Sequence, residues 1–561
     1  MCLGAMKITL ISPEFPFSGK VPMVPPILEY LGALTLREAP EAQLQLLDAN
    51  QRRVTAADVQ GELVGISVWT ATSTWAYRFA DACRAAGKRV VLGGIHASAL
   101  PEEAARHADT VVVGEAESCW GDVLRDAAAG RLRARYDGVQ LPLANLPTPL
   151  DAKLKGNYQF RAFFTQRGCP YSCTFCSVHQ FFGKTMRYRP IPEVVAEIEA
   201  RAGRVWFNGD DNIWGADPDR AVALFDALAA RVKRPWYGFG DLRSVQGANG
   251  ERLLSAARRS GLFSVWVGWE SDSPEALTDY RAAGKQGTDR IETIKRMQGH
   301  GLEVVLFSVL GGRGDDPGAF QRTLELGDRL KVGIHPVLLT PLPGTPLFDQ
   351  YKPHLLPGLG WDAFTGVRAV FEHPDRAMPP VERERAYHDL CRELYRPARI
   401  VRRLSAIPMK AFPGTHLLSL VAQLPMKRAL RLAREEWVEK HAAAKAPSAP
   451  LPGLPAWVRA ARDALVGASA GMTSAAVSVH QVAEELVPEE AYTRLVSLEE
   501  AMEGAGWGLV TAAALATAFG HVLGRRVAAR LGAPSRPGWR PFVPTALVAL
   551  MAATLAVLAW H

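Results

Sequence analysis

Short apolar runs alternating with longer amphipathic stretches set the rhythm of most of this chain. Residues 7–12, 43–48, 63–67, 89–92 and 110–114 are runs rich in Ile, Leu and Val that read as strands. Between them the apolar period lengthens. Residues 25–38 read as a helix with Pro26 near its start, 74–86 as another, and Glu117 opens a third. Apolar strands alternating with helices predict an open parallel α/β sheet, in which ligands sit beyond the carboxyl ends of the strands.

A proline-punctuated connector at 142–149 leads into a second stretch with the same rhythm. Here 161–165, 205–208, 236–240, 264–268, 303–308 and 331–335 read as strands, and 336–341 leads on to Leu342-Pro343-Gly344-Thr345-Pro346. Polar residues collect just past several strands: Gly209-Asp210-Asp211-Asn212, Asp241, and Trp269-Glu270-Ser271. A β/α barrel builds its site from residues placed this way. Residues 380–441 read as helical, with Tyr387, Leu390, Leu394 and Tyr395 on one rough apolar face. After a linker at 445–450 the tail changes character. Residues 542–560 carry no charge and are long enough to span a bilayer, and 506–523 are also uncharged apart from His521. A helical hairpin, two interfacial helices, or an alanine-rich bundle packed on itself all fit this pattern.

At 561 residues the chain is too long for one core. Seven cysteines, an odd number without a paired framework, argue against a disulfide-stapled secreted protein. The start shows no basic segment followed by an apolar stretch, so no secretory signal is expected. A reducing cytoplasm is the expected compartment, with peripheral or anchored placement at the inner face of a membrane if the tail engages one. Net charge is +8, and basic residues thicken between Arg383 and Arg434. Such a surface suits an anionic membrane or nucleic acid, and arginine richness alone also follows from a GC-rich genome.

The chemistry concentrates in Cys169-Pro170-Tyr171-Ser172-Cys173-Thr174-Phe175-Cys176. This C-x3-C-x2-C spacing suits three irons of a cubane [4Fe–4S] cluster and leaves the fourth iron without a protein ligand. Cys2, Cys83, Cys119 and Cys391 are remote in sequence. A zinc site completed by His179 is the alternative, but the spacing is wrong for a finger. A redox dithiol would leave the third cysteine unexplained.

This motif resembles the signature of radical S-adenosylmethionine (SAM) enzymes. Residues 1–140 resemble a cobalamin-binding domain, through the Ser12-Pro13 strand end, Gly65-Ile66-Ser67, Gly93-Gly94-Ile95-His96 and Gly114-Glu115. The resemblance implies an α/β protein: an open-sheet, Rossmann-like cobalamin-binding domain (1–140), a linker (141–160), a partial (β/α)6 radical SAM barrel (161–375), a helical extension (376–444) and an alanine-rich helical region (451–561). It implies a [4Fe–4S] cluster on Cys169, Cys173 and Cys176, with SAM and cobalamin as further cofactors. Phe175 would shield the cluster and pack near SAM. Glu270 would give SAM an acidic contact, with Ser271 beside it; Ser271 or Ser273 can equally cap the helix that follows. Asp210, Asp211 and Asn212 would touch SAM or fix a loop. As a magnesium site the aspartates lack a phosphate loop. Ser12, Ser67, Gly93, Gly94, His96, Gly114 and Glu115 would line the cobalamin. The Asp-x-His-x-x-Gly sequence that ligates cobalt is missing, its place taken by Pro13-Glu14-Phe15-Pro16. The cobalamin is therefore expected to lack a histidine on cobalt, unless the domain is a relic. His96 is read as a tail-side contact or a plain loop residue.

The implied activity is methylation of an unactivated carbon of a hydrophobic small molecule or lipid, using methylcobalamin and a 5′-deoxyadenosyl radical. An electron donor such as flavodoxin or ferredoxin would serve it. Oxidative cyclisation or oxidation without methyl transfer, and a non-catalytic cobalamin-binding role, are the alternatives. Nucleic acid is not expected, because the tail does not resemble a compact basic barrel. Hopanoid, other polyprenoid, fatty-acyl, tetrapyrrole and peptide substrates all remain open.

Overall fold

The computed structural model describes residues 6–16, 23–151, 158–203, 205–282, 289–374, 378–404 and 430–435, with a few single positions besides. The linker at 445–450, the uncharged segments 506–523 and 542–560, and the end of the 13–20 loop lie outside them. Among the described residues no helix is long and apolar enough to cross a membrane.

Two parallel six-stranded sheets carry the fold. The first contains β1 (Lys7–Ser12), β2 (Gln43–Asp48), β3 (Leu63–Ser67), β4 (Arg89–Gly93), β5 (Thr110–Val113) and β6 (Arg135–Asp137), in the order β2-β1-β3-β4-β5-β6. Alternation along the strands feeds two cores. Ile11, Val64, Ile66, Val90 and Leu92 pack with Ala76, Phe79 and Ala80 of the helix Ser73–Ala85. Ile8, Leu10, Leu63 and Val91 pack with Leu28 and Leu34 of the helix Pro26–Glu38, and with Trp120 and Val123. With both faces covered, the strands need no polar face. β6 is absent from the sequence reading because it is short, lies at an edge and buries only Tyr136. Glu117 lies within a 3-10 turn, Ala116–Ser118, and the helix proper begins at Trp120.

The second sheet runs in chain order. β7 (Phe160–Phe163) is followed by β10 (Val205–Asn208), β11 (Trp236–Gly240), β12 (Leu262–Glu270), β13 (Glu303–Leu310) and β14 (Gly333–Leu338), with β7 and β14 at its edges. This is a (β/α)6 partial barrel. A two-residue antiparallel ribbon, β8 (Gln166–Arg167) with β9 (Arg187–Tyr188), brackets the cysteine loop. The open edge of β7 accepts a bridge from the first domain, where the Val24 amide donates to the Phe160 carbonyl at 3.1 Å. The strand expected at 331–335 instead spans Gly333–Leu338 and contains Pro336. An edge strand tolerates the missing N–H. Residues 380–441 are not one helix. The first ends at Leu394, and Pro397 opens the next, Pro397–Leu404. Tyr387, Leu390, Leu394 and Tyr395 are buried as predicted.

Candidate functional site at the strand ends

The cysteine loop is held by backbone bonds and an apolar floor. Gly168 opens it at φ +96°, where a Cβ would lie 2.6 Å from the Thr185 carbonyl oxygen. The Cys169 amide donates to Gly183 O at 3.4 Å and the Cys176 amide to Cys173 O at 3.1 Å. Thr174 anchors the turn: its amide donates to Tyr280 O at 2.9 Å, and its hydroxyl donates to Asp279 O at 2.7 Å. Cys173 is buried among Tyr280, Leu347 and Phe348, while Cys169 and Cys176 are half-buried. Phe175 packs edge-on to Tyr280, ring centroids 5.4 Å apart. Among the described residues no three His, Cys, Asp or Glu side chains close around a single ion. A cubane does not require that, because each thiolate takes its own iron. Three thiols on one ordered loop over an apolar wall fit such a cluster.

Asp210 bonds the segment that leads into the cysteine loop, and Asn212 reaches the loop through Asp241. Asp210 is buried and accepts from the Thr165 amide (2.7 Å), the Thr165 hydroxyl (2.5 Å) and the Gln166 amide (3.2 Å). Burial pushes its carboxyl up to about 6 against the pull of these bonds. The Asn212 side chain donates to Asp241 at 2.7 Å, and Asp241 also accepts from the Tyr171 hydroxyl of the cysteine loop at 3.2 Å. These contacts favour loop-fixing for Asp210 and Asn212. Asp211, between them, has an exposed side chain.

Glu270 ends β12 in a strained conformation. It has φ +65°, it is buried, and the pairing of β12 with β13 shifts register between Gly268 and Glu270. A non-glycine residue in this region costs roughly 1–3 kcal/mol and persists where its surroundings impose it. Ser271 is buried, and its hydroxyl accepts from the Ser273 amide at 3.0 Å. Ser273 is the helix cap, accepting from the Ala276 amide at 3.1 Å ahead of Pro274. Arg290 stacks on the Trp269 ring, 3.6 Å from its centroid.

In the first domain, strand order reverses direction around β1 and β3, so the crevice outside their carboxyl ends is the expected ligand position. Ser12 and Ser67 end these strands. Gly93 ends β4, and the Gly114 amide, just past β5, donates to the Ser98 hydroxyl at 2.9 Å. Gly94 has φ +92°, and a Cβ there would lie 2.8 Å from the Val68 amide nitrogen and 2.9 Å from the Ser67 hydroxyl. Glycine is thus required by the close approach of this turn to the end of β3, and the Gly93-Gly94 backbone carries no side chain at the strand ends where a cobalamin would sit. The His96 imidazole is 1% exposed, with Nδ1 3.2 Å from the Thr70 hydroxyl and Nε2 3.5 Å from the Glu103 carboxylate. A ligand at this turn would meet its backbone and not its ring. The Glu115 carboxylate is also turned inward, onto Arg167 and Arg187. Trp69, just beyond β3, is 64% exposed, an indole at the crevice that the sequence reading passed over.

The barrel strands sort their aromatics by face. Phe163, Trp206 and Trp236 are buried on the helix side, with Trp236 against Phe225 of the helix Pro218–Arg231. Trp269 is also buried. Trp266, on the opposite face, is half-buried. It joins Phe207, Phe239 and Phe307, ring to ring at 5.4–6.3 Å, and Phe307 continues to His335 at 4.4 Å. Burial pushes the His335 imidazole down to about 4, so it is neutral.

Together, the open sheet with its glycine-lined crevice and the partial barrel with its three-cysteine loop define a two-cofactor α/β protein. Residues 163–327 match the Radical SAM superfamily model and residues 26–123 the B12 binding domain model. The chain is 27% identical to bacteriochlorophyllide d C-12(1)-methyltransferase of Chlorobaculum tepidum, over 62% of this chain and 78% of that protein. It is 27% identical to bacteriochlorophyllide d C-8(2)-methyltransferase of the same organism, over 68% of this chain and 90% of that one. Its fold matches the radical SAM methyltransferase TsrM from Kitasatospora setae with a TM-score of 0.54 at 15% identity, covering 78% of this chain and all of that structure. The chain carries a radical SAM domain and a B12-binding domain, and it is similar to proteins named as methyltransferases. It is an enzyme, and its domains imply a [4Fe–4S] cluster, SAM and cobalamin as cofactors.

Proposed function

We propose that this enzyme methylates an unactivated carbon of a largely apolar small molecule or lipid that lies against the inner wall of the barrel. The observation that carries the apolar substrate is that wall. Phe207, Phe239, Trp266 and Phe307 present half-buried rings on the face away from the helices, with neutral His335 at one end. Aromatic surface left partly open inside a barrel fits a ligand of low polarity, with a few polar groups to orient it.

In this reading Cys169, Cys173 and Cys176 would hold the [4Fe–4S] cluster, which would bind SAM when loaded. Glu270 and Ser271 contact SAM from the end of β12. Asp210 and Asn212 hold the loop in place. Ser12, Ser67, Gly93, Gly94 and Gly114 border the cobalamin, with His96 and Glu115 supporting that border from behind. When bound, these groups supply one-electron cleavage of SAM and a transferable methyl. The protein orients them and keeps water from the apolar wall. Flavodoxin or ferredoxin is the proposed electron source. The methyltransferase relatives support the methyl-transfer reading, and those two act on a bacteriochlorophyllide by name.

The test is anaerobic incubation of the reconstituted enzyme with cobalamin, reductant, methyl-labelled SAM, and separate lipid and tetrapyrrole extracts, read by mass spectrometry. Deoxyadenosine with a methyl-labelled apolar product is expected. Deoxyadenosine with an unmethylated, oxidised or cyclised product would overturn methyl transfer.

A further inference from the structure

Buried ion pairs join the first domain to the segments on either side of the cysteine loop. Glu115, just past β5, pairs with Arg167 of β8 at 2.7 Å and with Arg187 of β9. Arg167 also pairs with Glu117 at 2.6 Å, and Glu117 accepts from the Tyr30 hydroxyl at 2.8 Å. The side chains of Glu115 and Glu117 are 3% and 7% exposed. Arg167 and Arg187 pair with each other in register across the ribbon that brackets the loop. A second junction lies nearby: Glu29, next to Tyr30 on the first helix, pairs with Arg161 of β7 and with Arg201, and Arg201 continues through Glu197 to Arg189.

Geometry makes the first junction more than a surface tie. The turn Gly114-Glu115, just past β5, borders the glycine crevice, and β8, which ends at Arg167, runs straight into Cys169. The Arg187 fork takes both oxygens of the Glu115 carboxylate, and the Arg167 fork is divided between Glu115 and Glu117, so direction as well as distance is fixed. Burial removes the screening that would loosen an exposed pair.

We propose that the Glu115–Arg167–Arg187 junction is a positioning device that sets the separation between the cobalamin crevice and the cluster loop. This rests on the reading that those two sites hold cobalamin and the cluster. The junction touches neither reacting group. It acts by holding the two ends of the fold that carry them at one spacing.

The test uses the full-length holoenzyme with reduced cluster and cob(II)alamin, two paramagnetic centres whose separation is read by pulsed dipolar electron paramagnetic resonance. Iron and cobalamin contents are measured first, and a wild type that lacks either would sink the functional reading itself. With both present, Arg187→Gln is expected to keep both contents yet broaden or shift the distance distribution. Arg187→Lys, which keeps the charge and loses the fork, is expected to fall between Gln and wild type, and it serves if Arg187→Gln does not fold. Arg231→Gln breaks an exposed pair with Glu199 between two helices of the barrel domain and is expected to leave the distribution unchanged. Arg187 variants with a wild-type distribution, or an equal change in Arg231→Gln, would overturn the junction.

Discussion

Glu270 pairs a carboxylate with a backbone conformation that favours glycine, at a buried position beside a register shift. Replacing it separates strain from function. Glu270→Gly and Glu270→Ala both delete the carboxylate, but only glycine relaxes at φ +65°. The Gly variant should be more stable than the Ala variant by about 1 kcal/mol in denaturant melts. Both should lose SAM affinity in equilibrium binding. Equal stabilities would remove the strain, and retained SAM binding would remove the proposed contact. At this scale short motifs single out the cysteines and Glu270, because such motifs carry their own geometry. Asp210, Asn212 and Glu115 had partners that were not legible. Their residue types invited a ligand, yet their side chains are bonded to partners tens of residues away. Nothing local in the sequence announces such pairings.

Elements were legible where burial dictated them. Val205–Asn208 and Trp236–Gly240 lie where their aromatic and β-branched runs place them. The β8–β9 ribbon was invisible, since two residues per strand carry no periodicity. Pro336 broke a run that the structure keeps whole at an edge. The turn after β4 makes a sharper demand than any strand. A methyl group at Gly94 would meet Val68 backbone at 2.8 Å, and φ +92° is itself unfavourable for alanine. Gly94→Ala should destabilise the first domain by more than about 1 kcal/mol. Cobalamin retained through gel filtration should fall while iron content holds. Equal loss of iron would mean the change spreads to the barrel, and full cobalamin retention would place the ligand elsewhere.

Across the whole molecule, two parallel sheets turn their strand ends to separate tasks. One offers bare glycine backbone beside a switch in strand order, and the other a thiol loop and an aromatic interior. Buried charge joins them, with Glu29 and Glu115 reaching from the first domain to arginines of the second. The division of labour predicts that the two cofactors can be removed independently. The measurement is iron, cobalamin and SAM-dependent deoxyadenosine on anaerobically reconstituted full-length enzyme, wild type beside the triple variant Cys169→Ala, Cys173→Ala, Cys176→Ala. The wild type should carry about four irons and one cobalamin per chain and release deoxyadenosine. The triple variant should keep its cobalamin and lose both iron and deoxyadenosine. Deoxyadenosine from the triple variant, or a single zinc in place of iron in the wild type, would contradict the radical SAM chemistry assigned to this loop.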